Sequence, residues 1–231
     1  MNFQSIYDDA DIILTEGAIV ERLRHEFDAV LYPGINHAAL IYDKHGPMDL
    51  IYRQYIDTAM KYDLPLMLLT PTRRVHADSV EGTGYSSHKL IEDAVSFLEG
   101  IRLDFGSYAG RISIGGHMGC RGDAYDPSDA LETEEALDFH KIQVDHFKTT
   151  GADFLFAGIM PHLGEARGMA MAMATSGLPY IISFMISKDG RLLDGTSIID
   201  AIRYIDEATS PGPLCYFSNC IHPANLRLAL S

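Results

Sequence analysis

The sequence predicts an α/β protein of the TIM-type (β/α)8 barrel class, present as an incomplete barrel with about six βα units. Three observations support this prediction. Short apolar runs alternate with longer segments of helical period, which is typical of βαβ units joined by right-handed crossovers. The apolar runs are nearly continuous, as expected for parallel strands covered on both faces. No Gly-x-Gly-x-x-Gly motif follows the first run, which disfavours an open dinucleotide-binding sheet.

The elements follow in order along the chain. The strand candidates are short and rich in β-branched residues, and they are residues 12–16, 66–70, 111–115, 153–157, 180–185 and 214–218. The clearest helix candidates carry apolar residues at helical spacing, and they are residues 49–62, 88–103 and 133–149. The last of these opens with Thr133 and stops near Gly151, residue types typical of helix ends. A closed barrel needs eight units and about 250 residues, so this pattern indicates an incomplete one.

Composition predicts a single domain over residues 1–231 and excludes several functions. The net charge of -14 argues against binding to nucleic acid or to an anionic membrane, since both require clustered Lys and Arg. The three cysteines are too few for a disulfide scaffold. Residues 1–11 are polar and acidic, unlike a signal peptide, and no apolar run approaches the roughly 18 residues of a membrane span. The sequence therefore predicts a cytoplasmic, reduced protein.

Polar residues follow each predicted strand, and in a barrel all strand exits face one mouth. They are Glu16-Gly17, residues 70–74, residues 115–123, residues 160–162, residues 183–187 and Asn219-Cys220. Cys215 and Cys220 lie five apart on one extended segment, on opposite faces and about 16 Å apart. We therefore interpret Cys215 as a core residue and Cys220 as the functional candidate.

Two further sets of residues leave alternatives open. Cys120 and Cys220 lie at strand exits together with the exit-loop histidines His117, His162 and His222. Both residue types bind zinc, although lone histidines in loops are usually solvated. Seven histidines are interpreted as surface or helix residues: His25, His37, His45, His76, His88, His140 and His146. The glycines of the third strand's exit are interpreted mainly as turn residues, with ligand contact as the alternative; they are Gly115, Gly116, Gly119 and Gly122.

At these residues the chain resembles the homocysteine S-methyltransferase family, whose members have a (β/α)8 barrel and a zinc-bound thiol site. The resemblance spans the chain and about three quarters of a family domain. It is carried by motifs at residues 14–23, 114–125, 156–166, 183–202 and 219–223. It implies zinc as cofactor with Cys220 as a ligand (more weakly Cys120 and His222), and Glu16, Gly17 and Asn219 beside the substrate.

The resemblance also implies differences from the family pattern. Glu16 stands where the family usually has Asp, and Gly158 stands where a Glu helps to hold the substrate amino group. The Gly-Gly-Cys-Cys motif with two further zinc ligands falls beyond Ser231, so we expect a C-terminally truncated barrel.

Two functions are consistent with these observations. The first is an enzyme that transfers a methyl group to a small thiol. The alternative is a non-catalytic truncated barrel that binds a small molecule or a partner. The donor stays open among S-methylmethionine, S-adenosylmethionine, betaine and methylated folate or corrinoid. Because an open barrel leaves its first and last strands unpaired, we expect a homo-oligomer or a complementing polypeptide.

Overall fold

The computed structural model describes residues 2–43 and 45–230 of the chain. The strands are β1 (Leu14–Thr15), β2 (Leu66–Leu69), β3 (Ile112–Gly119), β4 (Phe154–Met160), β5 (Tyr180–Phe184) and β6 (Cys215–Ser218). The longer helices are α2 (Ile19–Phe27), α4 (His45–Lys61), α6 (Leu90–Leu103), α7 (Thr133–Phe147), α8 (Leu163–Ala174) and α9 (Ile198–Ala208). The shorter helices are α1 (Phe3–Asp9), α3 (Leu40–Asp43), α5 (Ala77–Val80) and α10 (Pro223–Ala229).

The strands follow one another in the sheet in chain order, from β1 to β6. Their ladders are parallel, with Leu14 opposite Leu66 between β1 and β2 and Ile181 opposite Cys215 between β5 and β6. Parallel neighbours that are consecutive in the chain need a crossover, which the intervening helices provide. The prediction of an α/β fold with six parallel strands is therefore confirmed, and each predicted strand is present with somewhat different bounds.

The chain divides into two compact units. The first unit comprises residues 1–116 and 149–154, and the second comprises residues 117–148 and 155–231. A single domain over residues 1–231 stays a prediction.

The core of the first unit contains a contact that the sequence did not predict. Helix α1 begins at the N-cap Asn2, whose side chain accepts a hydrogen bond from the backbone of Ser5. Its buried Phe3 stacks on Phe154 with ring centroids 4.1 Å apart. A Cβ added to Gly115 would lie 2.7 Å from Phe154 Cε2 and 2.8 Å from Leu69 Cδ2. Gly115 is therefore required for close packing within β3.

This placement corrects the interpretation of the glycines. Gly115, Gly116 and Gly119 belong to strand β3 rather than to a turn after it. Gly122 lies in the following loop, where an added Cβ would come within 2.9 Å of Asp129 Cβ.

The second unit holds a buried polar cluster between α7 and α8. Glu165 and His140 are fully buried, and Glu165 Oε1 lies 3.0 Å from His140 Nε2. The same carboxylate accepts hydrogen bonds from the backbone N–H groups of Arg121, at 2.7 Å, and Leu131, at 3.4 Å. Glu165 thus fixes both ends of the loop that joins β3 to α7.

Two histidines differ from the sequence interpretation. His37 and His76 are loop residues but are only 8% and 5% exposed, whereas His140, although 0% exposed, lies in helix α7, in agreement with an interpretation as surface or helix residues. Hydropathy did not reveal this, because burial of a histidine depends on the tertiary neighbours that satisfy or cover it.

Strand β6 is half-buried along its length, whereas the sequence predicted a buried strand. Within the part of the chain that the structure describes, β5 is its neighbour in the sheet on one side and no strand pairs with the other. The apolar run correctly predicted a strand, but its sequence carries no information about which of its edges is covered.

Candidate functional site

In the first unit, Glu16 lies where β1 ends. Its backbone N–H continues the ladder by donating to the carbonyl of Met67 at 3.3 Å. Its side chain turns back towards β2, where Oε2 accepts a hydrogen bond from the N–H of Leu69 at 3.2 Å. The buried Tyr52 donates to the carbonyl of the same Leu69 at 2.9 Å.

This environment changes the ionisation of Glu16. Burial raises the pKa of its carboxyl to about 8, and the hydrogen bond from Leu69 opposes the rise only in part. Desolvation penalises the charged form, whereas a hydrogen-bond donor stabilises it. Glu16 is therefore largely protonated at neutral pH, and an ammonium ion that bound beside it would release a proton.

We expect Glu16→Gln to stabilise the protein increasingly as the pH rises from about 5 to 9. A carboxyl whose pKa is higher in the folded than in the unfolded state takes up a proton on folding. The stabilisation that this carboxyl contributes is complete at pH values below its pKa in the unfolded state. It is lost as the pH rises through its pKa in the folded state. The free energy of unfolding that Glu16→Gln gains over the wild type should be about 1–3 kcal/mol larger at pH 9 than at pH 5. This is less than the full pKa shift would give, because solvent screens a half-buried side chain in part. Urea unfolding across this pH range would measure it.

The matched control for this experiment is Glu207→Gln, since Glu207 is exposed at the end of α9. If the stability difference between Glu16→Gln and the wild type depended on pH as little as that of the control, the raised pKa of Glu16 would be contradicted.

Gly17 is exposed, and an added Cβ would meet nothing within 4 Å. Its carbonyl accepts a hydrogen bond from the hydroxyl of Tyr55 on α4. Gly17 is therefore accessible from solvent. Its role in substrate binding stays a prediction.

The exit of β2, residues 70–74, is one of the polar strand exits that the sequence predicted. The buried hydroxyls of Thr70 and Thr72 lie 2.7 Å apart. Burial, followed by the charge of Arg73, lowers the pKa of His37 to about 4, so its imidazole is neutral at physiological pH. Thr70 and Thr72 could be recognised in the sequence by their position at a strand exit, whereas no sequence feature pointed to His37.

In the second unit, Asn219 and Cys220 lie at the exit of β6. The hydroxyl of Ser183 on β5 donates to Asn219 Oδ1, and Asn219 Nδ2 lies 3.7 Å from Cys220 Sγ. Cys220 is exposed and has a φ of 60°, a left-handed conformation that non-glycine residues seldom adopt. This backbone turn at the strand end presents the thiol to solvent.

The other predicted metal ligands are placed differently. Cys120 is 1% exposed, and its Sγ lies 3.7 Å from the carbonyl oxygen of Gly122. His222 is exposed and serves as N-cap of α10, with Nδ1 accepting from the N–H of Ala224 at 3.1 Å. Cys120, Cys220 and His222 do not form a metal-binding group.

A protein zinc site uses about four ligands in tetrahedral geometry, three of them from protein in a catalytic site. Residues 2–43 and 45–230 contain no group of three or more His, Cys, Asp or Glu side chains that could hold a metal ion. Cys220 has suitable chemistry for one ligand, but the described residues do not by themselves fit a zinc site.

Comparison with known proteins then identifies the family. Residues 13–231 match the family described as homocysteine S-methyltransferase. The chain belongs to this family. No curated protein matches the chain. Family membership supports a methyltransferase that acts on a thiol, in agreement with the function predicted from the sequence.

Solved structures of a homocysteine methyltransferase, MmuM from Escherichia coli, are similar to the chain. The metallated form has a TM-score of 0.78 at 19% identity, over 98% of this chain and 80% of that one. The oxidised form has a TM-score of 0.76 at 20% identity, over 97% of this chain and 78% of that one. This likeness shows the fold, and it confirms the prediction of a TIM-type barrel that is incomplete in this chain.

None of the helices within the described residues is long and apolar enough to cross a membrane.

Proposed function

We propose that this homocysteine S-methyltransferase family member transfers a methyl group to a small thiol. The observation that carries the proposal is the exposed thiol of Cys220, turned outward at the carboxyl end of a parallel strand. In α/β barrels that end of the strands is where catalytic residues lie. Asn219, anchored by Ser183 on the neighbouring strand, supports a fixed position for this segment.

The reaction requires an acceptor in thiolate form, because the thiolate and not the thiol is the nucleophile. The thiolate sulfur forms a bond to the methyl carbon while the bond from that carbon to the donor breaks. The donor leaves with the electron pair, and the thiol proton is released to solvent. We propose Glu16, Gly17 and Asn219 as substrate-binding residues, each to be tested separately.

We propose zinc as the cofactor, with Cys220 as one ligand. Since the described residues provide no complete ligand group, at least part of the ligand set would have to come from outside them, for example from a second polypeptide. When bound, zinc would lower the pKa of a coordinated thiol. Cys120 and His222 stay weaker candidates for the same role.

We also propose that the protein is cytoplasmic and acts as a homo-oligomer or with a complementing polypeptide. The positions of β1 and β6 at the two ends of the strand order support self-association, since exposed strand edges pair readily.

Cys220→Ser is expected to lower methyl transfer to homocysteine at least about 100-fold, because a serine hydroxyl is a far poorer zinc ligand than a cysteine thiolate. The matched control is Cys215→Ser, since Cys215 lies on the same strand but is half-buried at its start. Zinc content should be determined for both variants by elemental analysis. Equal activity and equal zinc in the two variants would contradict the proposed role of Cys220.

The incomplete ligand group favours one second candidate, a barrel that binds a thiol without methylating it. Calorimetry with homocysteine would detect such binding. Saturable binding without methyl transfer from any donor in a panel of sulfonium, betaine and folate compounds would support this candidate over the enzyme.

A further inference from the structure

The helical layer of the second unit contains an open cleft of about 530 Å³. Its walls come from the start of α7, the first turns of α8, the loop after β5 and helix α9. Neither Asn219 nor Cys220, which belong to the proposed thiol site, lines this cleft. A volume of this size is sufficient for a small molecule, and no step of the proposed methyl transfer uses it.

Arg167 on α8 brings a positive charge to the cleft. Its Nε is buried and has no hydrogen-bond partner among the residues that the structure describes, whereas the residue as a whole is partly exposed. A guanidinium that keeps free donors binds a carboxylate through paired, charge-assisted hydrogen bonds. Arg167 therefore favours an occupant that carries a carboxylate.

A negative charge lies close to this arginine along α8. A Cβ built on Gly164 would lie 3.2 Å from Glu132 Oε2, so the carboxylate of Glu132 borders the helix at that position. Positions three residues apart lie on one helix face, with Cβ atoms about 5–6 Å apart, and residues 164 and 167 have this spacing. Glu132 is exposed and leaves Arg167 Nε without an acceptor. An occupant placed between the two side chains meets opposite charges at its two ends.

His162 adds an uncharged hydrogen-bonding group beside the same position. Its Nδ1 lies 3.1 Å from the Cβ built on Gly164, and it is buried without a hydrogen-bond partner in the described part of the chain. As the N-cap of α8, it makes no side-chain hydrogen bond to its own helix. A neutral imidazole donates or accepts at Nδ1 according to its tautomer, so His162 suits either end of such an occupant.

The remaining groups of the cleft disfavour a simple anion. Asp194 also lines it, and its carboxylate is held by the N–H groups of Leu163, at 2.6 Å, and Thr196, at 2.8 Å. Together with Glu132 it sets two carboxylates against one guanidinium, so phosphate or sulfate is repelled. Leu163 and Tyr204 give the cleft apolar surface as well, which suits an uncharged side chain.

We propose that this cleft binds a neutral α-amino acid. The carboxylate of the amino acid pairs with Arg167, its ammonium group pairs with Glu132, and its side chain lies against Leu163 and Tyr204. One carbon separates the two charged groups of an α-amino acid, which suits opposite charges held at neighbouring positions of one helix face. The inference does not depend on the proposed methyl transfer.

Isothermal titration calorimetry with L-leucine tests this inference. The matched probes are 4-methylpentanoate, which lacks the ammonium group of leucine, and 3-methylbutylamine, which lacks its carboxylate. We expect saturable binding of L-leucine with a Kd of about 1 mM or below, and at least about 10-fold weaker binding of either matched probe. Tm should also rise with the concentration of L-leucine, because a ligand of the folded state stabilises that state.

Two substitutions test the assigned contacts. Arg167→Gln and Glu132→Gln should each weaken the binding of L-leucine at least about 10-fold. The matched controls, which should leave this binding unchanged, are Arg24→Gln in α2 and Glu135→Gln in the first turn of α7, both at exposed residues. Because Glu132 is also exposed, its substitution keeps the test decisive if Arg167→Gln fails to fold.

The inference has several outcomes that would overturn it. These are the absence of L-leucine binding, binding that Arg167→Gln and Glu132→Gln leave unchanged, and binding of 4-methylpentanoate as tight as that of L-leucine. Binding that is weakened by Glu16→Gln but not by Arg167→Gln would place L-leucine in the proposed thiol-acceptor site and would also overturn it.

Discussion

Glu165→Ala is expected to lower the free energy of unfolding by about 3–5 kcal/mol, the largest stability effect that we predict for a single substitution. The carboxylate is fully buried and serves His140 and the backbone N–H groups of Arg121 and Leu131. Its removal leaves the buried imidazole of His140 and the backbone N–H of Leu131 without this acceptor, and each such group carries a desolvation cost of about 1–3 kcal/mol. It also leaves a cavity between α7 and α8.

Chemical denaturation followed by circular dichroism would measure this loss. Glu135→Ala is the matched control, because Glu135 is an exposed residue of the first turn of α7. Glu165→Gln should fall between the two, since the amide keeps one acceptor oxygen and the side-chain volume. A Glu165→Ala variant within about 1 kcal/mol of the control would show that the cluster does not hold the loop between β3 and α7.

Gly115→Ala is expected to cost about 1–3 kcal/mol of stability through overpacking. The new methyl group would lie within 2.8 Å of side-chain atoms of both Phe154 and Leu69. Phe154 cannot easily move aside, because its ring also stacks on that of Phe3, with centroids 4.1 Å apart. The cost should shrink when Phe154→Leu is introduced together with the substitution, since the smaller side chain leaves room for the methyl group.

Gly100→Ala provides the control for this prediction. Gly100 lies within helix α6, and an added Cβ would meet nothing within 4 Å. Alanine at such a site should stabilise the protein by up to about 1 kcal/mol. Opposite signs for the two substitutions are expected in thermal unfolding, and a stabilising Gly115→Ala would contradict the packing described for β3.

The strands and the main helices were predictable because each depends on a local pattern. Continuous apolar runs such as residues 180–185 became β5, and the helical repeat of residues 88–103 became α6. Helix α1 was missed because the acidic character of residues 1–11 outweighed the spacing of Phe3 and Ile6, both of which are buried. The N-cap Asn2 was the signal that would have revealed it.

The candidate site was predictable only in part. The positions of Cys220, Asn219 and Glu16 at strand exits were predictable because they follow from the order of the strands along the chain, whereas their roles in a site stay predictions. The raised pKa of Glu16 and the contact between His117 and Gly158 were not predictable, since each depends on residues from another strand. Likewise, the sequence around Gly115 is typical of a turn. The need for glycine at this position inside β3 follows only from its contact with Phe154, which the sequence does not show.

The central claim is methyl transfer to a small thiol, and one measurement tests it most directly. The purified protein, supplied with zinc, is incubated with homocysteine and with each candidate donor carrying a deuterated methyl group. The product is then analysed by mass spectrometry. We expect methionine that carries the labelled methyl group, formed with at least one donor and lost in Cys220→Ser but not in Cys215→Ser. No labelled methionine with any donor, or the same amount from the Cys220→Ser protein, would contradict the account.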